Sequence, residues 1–166
     1  MPKLLVLFDS HSDDLARLAE AVAEGARSVR FAEVDVRRIP GASGDRASSA
    51  RHRALESADA LAAYDGIIVG ASPASASSDA ATGPVGAAPV SLVNKVGSAF
   101  ATHDGGDRRA ALWSVLTPMA DRGMILVTPS ITEAPSDEVE SAREQGKRVA
   151  DVVGWVTHAR SHHHHH

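Results

Sequence analysis

Leu4-Leu5-Val6-Leu7-Phe8-Asp9-Ser10-His11-Ser12-Asp13-Asp14-Leu15 is the stretch on which the fold turns. Its first five residues form an unbroken apolar run. A strand that shows one face to water alternates in polarity; a strand covered on both faces, as in a parallel sheet flanked by helices, does not. Asp9 to Ser12 end the run in a polar turn. Leu15, Leu18, Ala19, Val22, Ala23 and Ala26 then recur at helical spacing. Ser12 is placed as the N-cap of that helix, and Asp13 and Asp14 in its first turn suit the positive end of the helix dipole.

The same strand-then-helix unit repeats along the chain. Val34 to Val36 reads as a short second strand of alternating polarity, placed near a sheet edge. Residues 40–53, rich in Gly, Ser, Ala and Arg, read as a surface excursion, and Leu55 to Ala63 as a short helix. Gly66-Ile67-Ile68-Val69-Gly70 is the third strand. Ala71 to Pro89, dominated by Ala, Ser, Gly and Pro, is a long loop with room for a helical turn; loops of this length in compact domains carry function or move. Val96 to Thr102 is the fourth strand, followed by a His103–Asp107 turn. Leu112, Val115, Leu116 and Met119 mark a helix that Pro118 is expected to end or kink. Met124 to Val127 is the fifth strand. The last helix is predicted to begin at Ser136 as N-cap, with Val139, Ala142, Gly146, Val149, Ala150 and Val153 facing inward.

Five such units predict an α/β, doubly wound, five-stranded parallel sheet in three layers, with right-handed crossovers and strand order 2-1-3-4-5. Ligands of such sheets bind over the C-terminal ends of the strands where the order reverses. The loops at Asp9–Asp14, Ala71–Pro89 and His103–Asp107 therefore matter most.

Composition narrows the classes. The sequence has 166 residues, of which Ser161 and His162 to His166 read as a purification tag, leaving a single domain over residues 1–160. The net charge of −4 is spread along the chain with no basic stripe for nucleic acid. No apolar run approaches the roughly 18 residues that a membrane span requires. No signal-peptide pattern precedes the first strand, so a cytoplasmic protein is expected. The absence of cysteine excludes disulfides, thiolate nucleophiles and cysteine metal sites.

Several stretches resemble one known family. Ala21-Val22-Ala23-Glu24-Gly25-Ala26, Leu61-Ala62-Ala63-Tyr64-Asp65-Gly66-Ile67-Ile68-Val69-Gly70, Arg122-Gly123-Met124-Ile125-Leu126-Val127, Pro135-Ser136 and Ala142-Arg143-Glu144-Gln145-Gly146-Lys147-Arg148-Val149-Ala150 are similar to the flavodoxin-like NAD(P)H:quinone oxidoreductases, once called tryptophan-repressor-binding proteins. The resemblance implies a flavodoxin-like fold, FMN reduced by NAD(P)H, two-electron transfer to quinones, and a homo-oligomer, dimer or tetramer. It assigns the cofactor to three loops: Ser10, His11, Ser12, Asp13 and Asp14; Ala71, Ser72 and Pro73; and Thr102, His103, Asp104, Gly105 and Gly106. No catalytic residue is assigned.

All three loops depart from the family pattern. The family's phosphate loop reads roughly Ser-x-Tyr-Gly-His/Asn-x; here Ser10 matches, and Asp13 stands at the glycine position with Asp14 beside it. A helix N-terminus holds phosphate through free N–H groups and partial positive charge. Carboxylates compete for those donors and repel the anion, each by about 3 kcal/mol at about 5 Å and an effective dielectric near 20. In the second loop, Ala71-Ser72-Pro73-Ala74-Ser75-Ala76-Ser77 replaces a family Thr-Pro-Thr-Arg-Phe-Gly-Asn stretch, so the Arg, Phe and Asn are gone. In the third, His103 and Asp104 replace a Thr-Gly turn, while Gly105 and Gly106 remain. The segment after the fifth strand is reduced to Thr128–Ala134. The sequence thus points to a flavodoxin-fold protein with a degenerate flavin site and weak or no FMN binding, acting as a binding or regulatory module. The alternative is an active FMN-dependent NAD(P)H:quinone oxidoreductase.

Other constellations carry less. Asp9, His11, Asp13 and Asp14, with His103, Asp104 and Asp107, contain metal-ligand chemistry, but their spacing matches no defined motif, and helix capping accounts for them. A phosphoacceptor site needs an Asp after strand three and a Lys after strand five; Gly70 and Thr128-Pro129 stand there. No Gly-x-Ser-x-Gly elbow frames Ser72, Ser75, Ser77 or Ser78. Arg46, Arg51, Arg53, Arg108 and Arg109 read as solvated surface.

Overall fold

A computed structural model describes residues 1–9, 13–39, 52–71, 83–102, 107–131 and 135–163, and arranges five strands as one parallel sheet in the order β2-β1-β3-β4-β5. In chain order the elements are β1 (Lys3–Phe8), α1 (Asp13–Arg27), β2 (Glu33–Arg38), a 3-10 helix (Ala58–Ala63), β3 (Gly66–Ala71), α2 (Gly83–Ala87), β4 (Val96–Ala101), α3 (Arg108–Asp121), β5 (Ile125–Leu126) and α4 (Glu138–His163). The expected topology is the observed one, with β2 at an edge.

The apolar run of β1 is divided between two cores by the pleat. Leu4, Val6 and Phe8 pack beneath α1 and α4, together with Ile68, Val96 and Phe100. Leu5 and Leu7 point to the other face, where Ile67, Val69, Ala99 and Ala101 meet Leu112, Val115, Leu116 and Met119 of α3. Both sets are almost fully buried. Each large side chain so removed from water contributes roughly 1.5–3 kcal/mol, which is why the buried part of the strand, Leu4 to Phe8, holds no polar residue.

α1 and α4 approach each other more closely than side chains permit. A Cβ built on Gly25 would lie 1.9 Å from the carbonyl oxygen of Arg143, and one built on Gly146 would lie 1.9 Å from that of Val22. The two glycines therefore interlock the helices backbone to backbone, with Ala26, Ala142 and Ala150 buried around them. At the rim, Arg143 pairs with Glu24 and Glu140, both at 3.1 Å.

The structure refines several element boundaries. Leu55–Ala63 is helical only from Ala58, as a 3-10 turn. The long loop after β3 carries its helical turn at Gly83–Ala87; Arg122 holds the chain beyond it through hydrogen bonds from Nη2 to the carbonyls of Ala88 and Val90, both at 2.6 Å. Pro118 lies inside α3 rather than ending it, because the buried faces of Leu116 and Met119 hold the last turn against the sheet. The fifth strand shrinks to Ile125–Leu126. The first turn of α4 is capped by Asp137, not Ser136: Asp137 Oδ1 accepts from the Glu140 amide at 3.1 Å.

Two buried polar links fasten the layers. Gln145 Nε2 donates to Ser98 Oγ at 2.9 Å and to the Ala99 carbonyl at 2.5 Å, while Ser98 Oγ donates to the Val127 carbonyl at 2.5 Å. Tyr64 reaches across to β2, its hydroxyl donating to Asp35 Oδ2 at 2.7 Å. Burial first, and then the Asp35 carboxylate, push the Tyr64 phenol up to about 12.

Gly25→Ala or Gly146→Ala should each lower stability by about 1–3 kcal/mol through overpacking, seen as a lower urea midpoint at unchanged slope. A Cβ on Gly154, also on α4, meets nothing within 4 Å, so Gly154→Ala should be neutral or stabilise by up to about 1 kcal/mol. Tyr64 is the one tyrosine of the sequence, so ultraviolet titration reads it alone. Its phenolate should appear near pH 12 in the folded protein and near the ordinary value of about 10 in urea. Because folding favours the protonated phenol, its contribution to stability is intact below about pH 10 and is lost as the pH rises towards about 12. Asp35→Asn should move the folded value down.

Candidate functional site

The strand order reverses between β1 and β3, and the last fully paired row there is Phe8–Gly70–Phe100. The Phe100 ring lies on the backbone of Gly70: a Cβ at residue 70 would stand 2.3 Å from two of its carbons. Only glycine admits the ring at that distance.

Immediately beyond this row come Asp9 after β1, Ala71 ending β3, and Ala101 and Thr102 at the end of β4. All four are buried, and Asp9, Ala71 and Thr102 have no exposed surface at all. The floor at β3 and β4 is thus built of small side chains, with a carboxylate on the β1 side and a hydroxyl on the β4 side. Thr102 Oγ1 is buried without a hydrogen-bond partner, as is Arg108 Nε at the start of α3. Buried polar atoms are nearly always partnered in folded proteins, so both are unusual.

The N-terminus of α1 stands above the end of β1. Asp13 is exposed and Asp14 half-buried, and Arg17, one turn on, lies 3.6 Å from Asp14. Asp9, Asp13 and Asp14 therefore concentrate negative charge at the β1–α1 junction. On α1 itself the two aspartates favour the helix dipole. On the far side, Asp107 caps α3, its Oδ1 accepting from the Ala110 amide at 3.2 Å.

Arg108 does not behave as solvated surface. Its Nη1 donates to the Ser130 carbonyl at 3.0 Å, and burial lowers the guanidinium below its ordinary value. It borders a cavity of about 20 Å³ with Leu18, Phe100, Ala101 and Gln145, room for about one water. His52 packs its ring edge-on to Phe8 at 5.6 Å and sets Nε2 3.3 Å from Glu20 on α1. A broader groove of about 470 Å³, lined by Arg30, Phe31, Asp65, Gly154 and His158, opens at the opposite end of the sheet.

Of the residues assigned to the cofactor loops, Asp13, Asp14, Ala71 and Thr102 fall among those described, and the topology brings their three loop origins to one end of the sheet. Ser10, His11, Ser12, Ser72, Pro73, His103, Asp104, Gly105 and Gly106 lie outside the described residues. Asp9 and Arg108 were not among the assigned residues. Asp9 carries a signal in its place directly after the apolar run; Arg108 has none, since beside exposed Arg109 it looks identical in sequence. Among the described residues no group of three His, Asp or Glu could hold a metal ion, and no helix is long and apolar enough to cross a membrane.

This topology, a five-stranded parallel sheet whose order reverses between β1 and β3, defines a flavodoxin-like fold. The diflavin flavoprotein A3 from Nostoc sp. superimposes with a TM-score of 0.64 over 98% of this chain and 97% of its own, at 23% identity. The chain is 39% identical over 146 residues to an NAD(P)H dehydrogenase (quinone) of Azorhizobium caulinodans, covering 76% of this chain and 70% of that one. It is 33% identical to the enzyme of the same name from Methylocella silvestris, over 93% of this chain and 98% of that one. The second alignment spans 197 residues, more than the 166 of this chain, so this chain is internally shortened against that relative. No family model matches. The chain belongs to the NAD(P)H dehydrogenase (quinone) family, which relates it to the FMN-dependent oxidoreductases.

Proposed function

We propose that this chain is a flavodoxin-fold member of the quinone oxidoreductase family whose flavin site has degenerated, so that it holds FMN weakly and works as a binding or regulatory module. The observation that carries this reading is the set of carboxylates at the β1–α1 junction: buried Asp9, with Asp13 and Asp14 in the first turn of α1. A flavin phosphate in this fold class would draw on that helix N-terminus, and it carries close to two negative charges. The one cation in the second turn, Arg17, is already beside Asp14. The phosphate half of FMN does not fit these residues.

The second reading, an active FMN-dependent NAD(P)H:quinone oxidoreductase, is favoured by the unpartnered Thr102 hydroxyl, a group suited to a ring carbonyl or nitrogen. When bound, FMN would supply the two-electron relay between nicotinamide and quinone, and the protein would supply positioning. In either reading the loops at residues 10–14, 71–73 and 102–106 face the ligand, residues 1–160 act as one domain ahead of the tag, the protein is cytoplasmic, and chains associate as dimers or tetramers.

Untagged protein should purify colourless and quench FMN fluorescence only at high concentration. The double substitution Asp13→Gly with Asp14→Asn should tighten FMN at least tenfold, that is, by about 1.4 kcal/mol. Yellow protein carrying stoichiometric FMN through purification would refute the first reading and establish the second.

A further inference from the structure

The groove at the opposite end of the sheet is remote from the strand ends where the order reverses. Its walls come from the approaches to three neighbouring strands, Pro2 before β1, Phe31 before β2 and Asp65 before β3, and from Gly154 and His158 on α4. β1 has six residues, so at about 3.3 Å per residue the groove stands roughly 20 Å from the C-terminal ends of the strands. Its volume of about 470 Å³ is that of a small-molecule pocket. Two residues of the lining are held in forms that disfavour folding. Phe31 has a φ of 70°, a left-handed backbone that a bulky residue adopts only under constraint. Asn94, the other described non-glycine residue there, is of a type that tolerates it. Phe31 is also 63% exposed, so burial of its ring does not offset the strain. Gly154 sits inside α4, where glycine is a weak helix former, and the space that a Cβ would enter is empty. The helix contact requires Gly25 and Gly146; no neighbour requires Gly154. A side chain there would take up room in the groove that it lines.

The chemistry of the lining selects the ligand. The Arg30 guanidinium lies 4.9 Å from the centre of the Phe31 ring and meets no carboxylate among the described residues. Asp65, the carboxylate of the described lining, is already engaged, its Oδ2 accepting from the Lys3 amide at 3.0 Å. An exposed ring with an unpaired guanidinium beside it suits a molecule that is flat and apolar at one end and anionic at the other. Ring packs on ring, and the planar guanidinium holds a carboxylate through two parallel charge-assisted hydrogen bonds. We propose that this groove binds a small aromatic monocarboxylate, its ring against Phe31 in the space left open at Gly154 and its carboxylate on Arg30. An aromatic ammonium of the same size meets the guanidinium as a like charge and is rejected. The site stands apart from the strand ends at the reversal, so it holds whether or not the protein binds a flavin.

The test titrates the full, untagged chain calorimetrically with three probes of one shape: naphthoate, naphthylmethanol and naphthylmethylammonium. Naphthoate should bind about tenfold or more tighter than the alcohol, and the ammonium should bind weakest. Arg30→Gln should bring acid and alcohol to within about threefold of each other. Gly154→Leu should weaken naphthoate by about tenfold or more while the Tm holds or rises, because leucine favours the helix that glycine weakens. Phe31→Gly should also weaken naphthoate with the Tm unchanged or higher, since glycine adopts the positive φ without strain. That pairing of lost binding with retained stability is one that a purely structural role of either residue does not produce. Acid and ammonium bound equally, no binding of naphthoate, or binding untouched by both Gly154→Leu and Phe31→Gly would overturn the proposal. A dimer of the chain that Gly154→Leu dissociates, with no naphthoate bound, would assign the groove to a second copy and overturn it too. The comparison of the three probes needs no variant, so it decides the matter even where a substitution unfolds the protein.

Discussion

The contact between α1 and α4 is the constraint to which the functional end of the molecule answers. Each helix must lie flat on the same face of the sheet, above Leu4, Val6 and Phe8. Two helices resting side by side on one sheet face compete for space. Gly25 and Gly146 resolve the competition by letting the backbones touch, each opposite a carbonyl of the partner helix. The ion pairs of Arg143 with Glu24 and Glu140 at the rim are half-exposed and add little. With α1 held in that way, its N-terminus is fixed over the end of β1, and the identity of Asp13 and Asp14 becomes a statement about the crevice.

Those aspartates serve two purposes that conflict. For α1 as a helix they are favourable, since negative charge in the first turn offsets the unpaired amides. For an anionic ligand at that helix N-terminus the same two carboxylates would be like charges.

The other end of the crevice is organised by the chain after β5. That strand has only two residues, too few to hold the segment that follows. Side chains take over: Ser98 reaches the Val127 carbonyl, Arg148 the Thr128 carbonyl at 2.7 Å, and Arg108 the Ser130 carbonyl. Gln145 completes the set by binding Ser98 from α4. These links hold the segment after a two-residue strand against the sheet, and the bond to the Ser130 carbonyl is part of why Arg108 is drawn inward rather than left in solvent.

The topology was legible because it follows from local pattern. Continuous apolar strands can only be two-faced, and helices of 3.6-residue period between them can only cover those faces. What failed locally failed for tertiary reasons. Of the two outcomes expected at Pro118, ending α3 is not the one observed: the helix continues to Asp121, with Met119 buried against the sheet. Asp137 displaced Ser136 as the cap of α4, a choice between adjacent polar residues that sequence does not separate. Of the strand ends where the order reverses, the sequence showed which strands are neighbours and that Asp13 and Asp14 open α1. It did not show that Thr102 is buried without a partner or that Arg108 differs from Arg109.

By itself, then, the order of residues determined the sheet, its covering helices and the sign of the charge at the mouth of α1. These are properties of period and composition, readable one segment at a time. Only the folded chain decided which polar groups lose water and which neighbours they find. Burial and hydrogen bonding depend on residues far apart in sequence being brought to one place, and no segment contains that information alone.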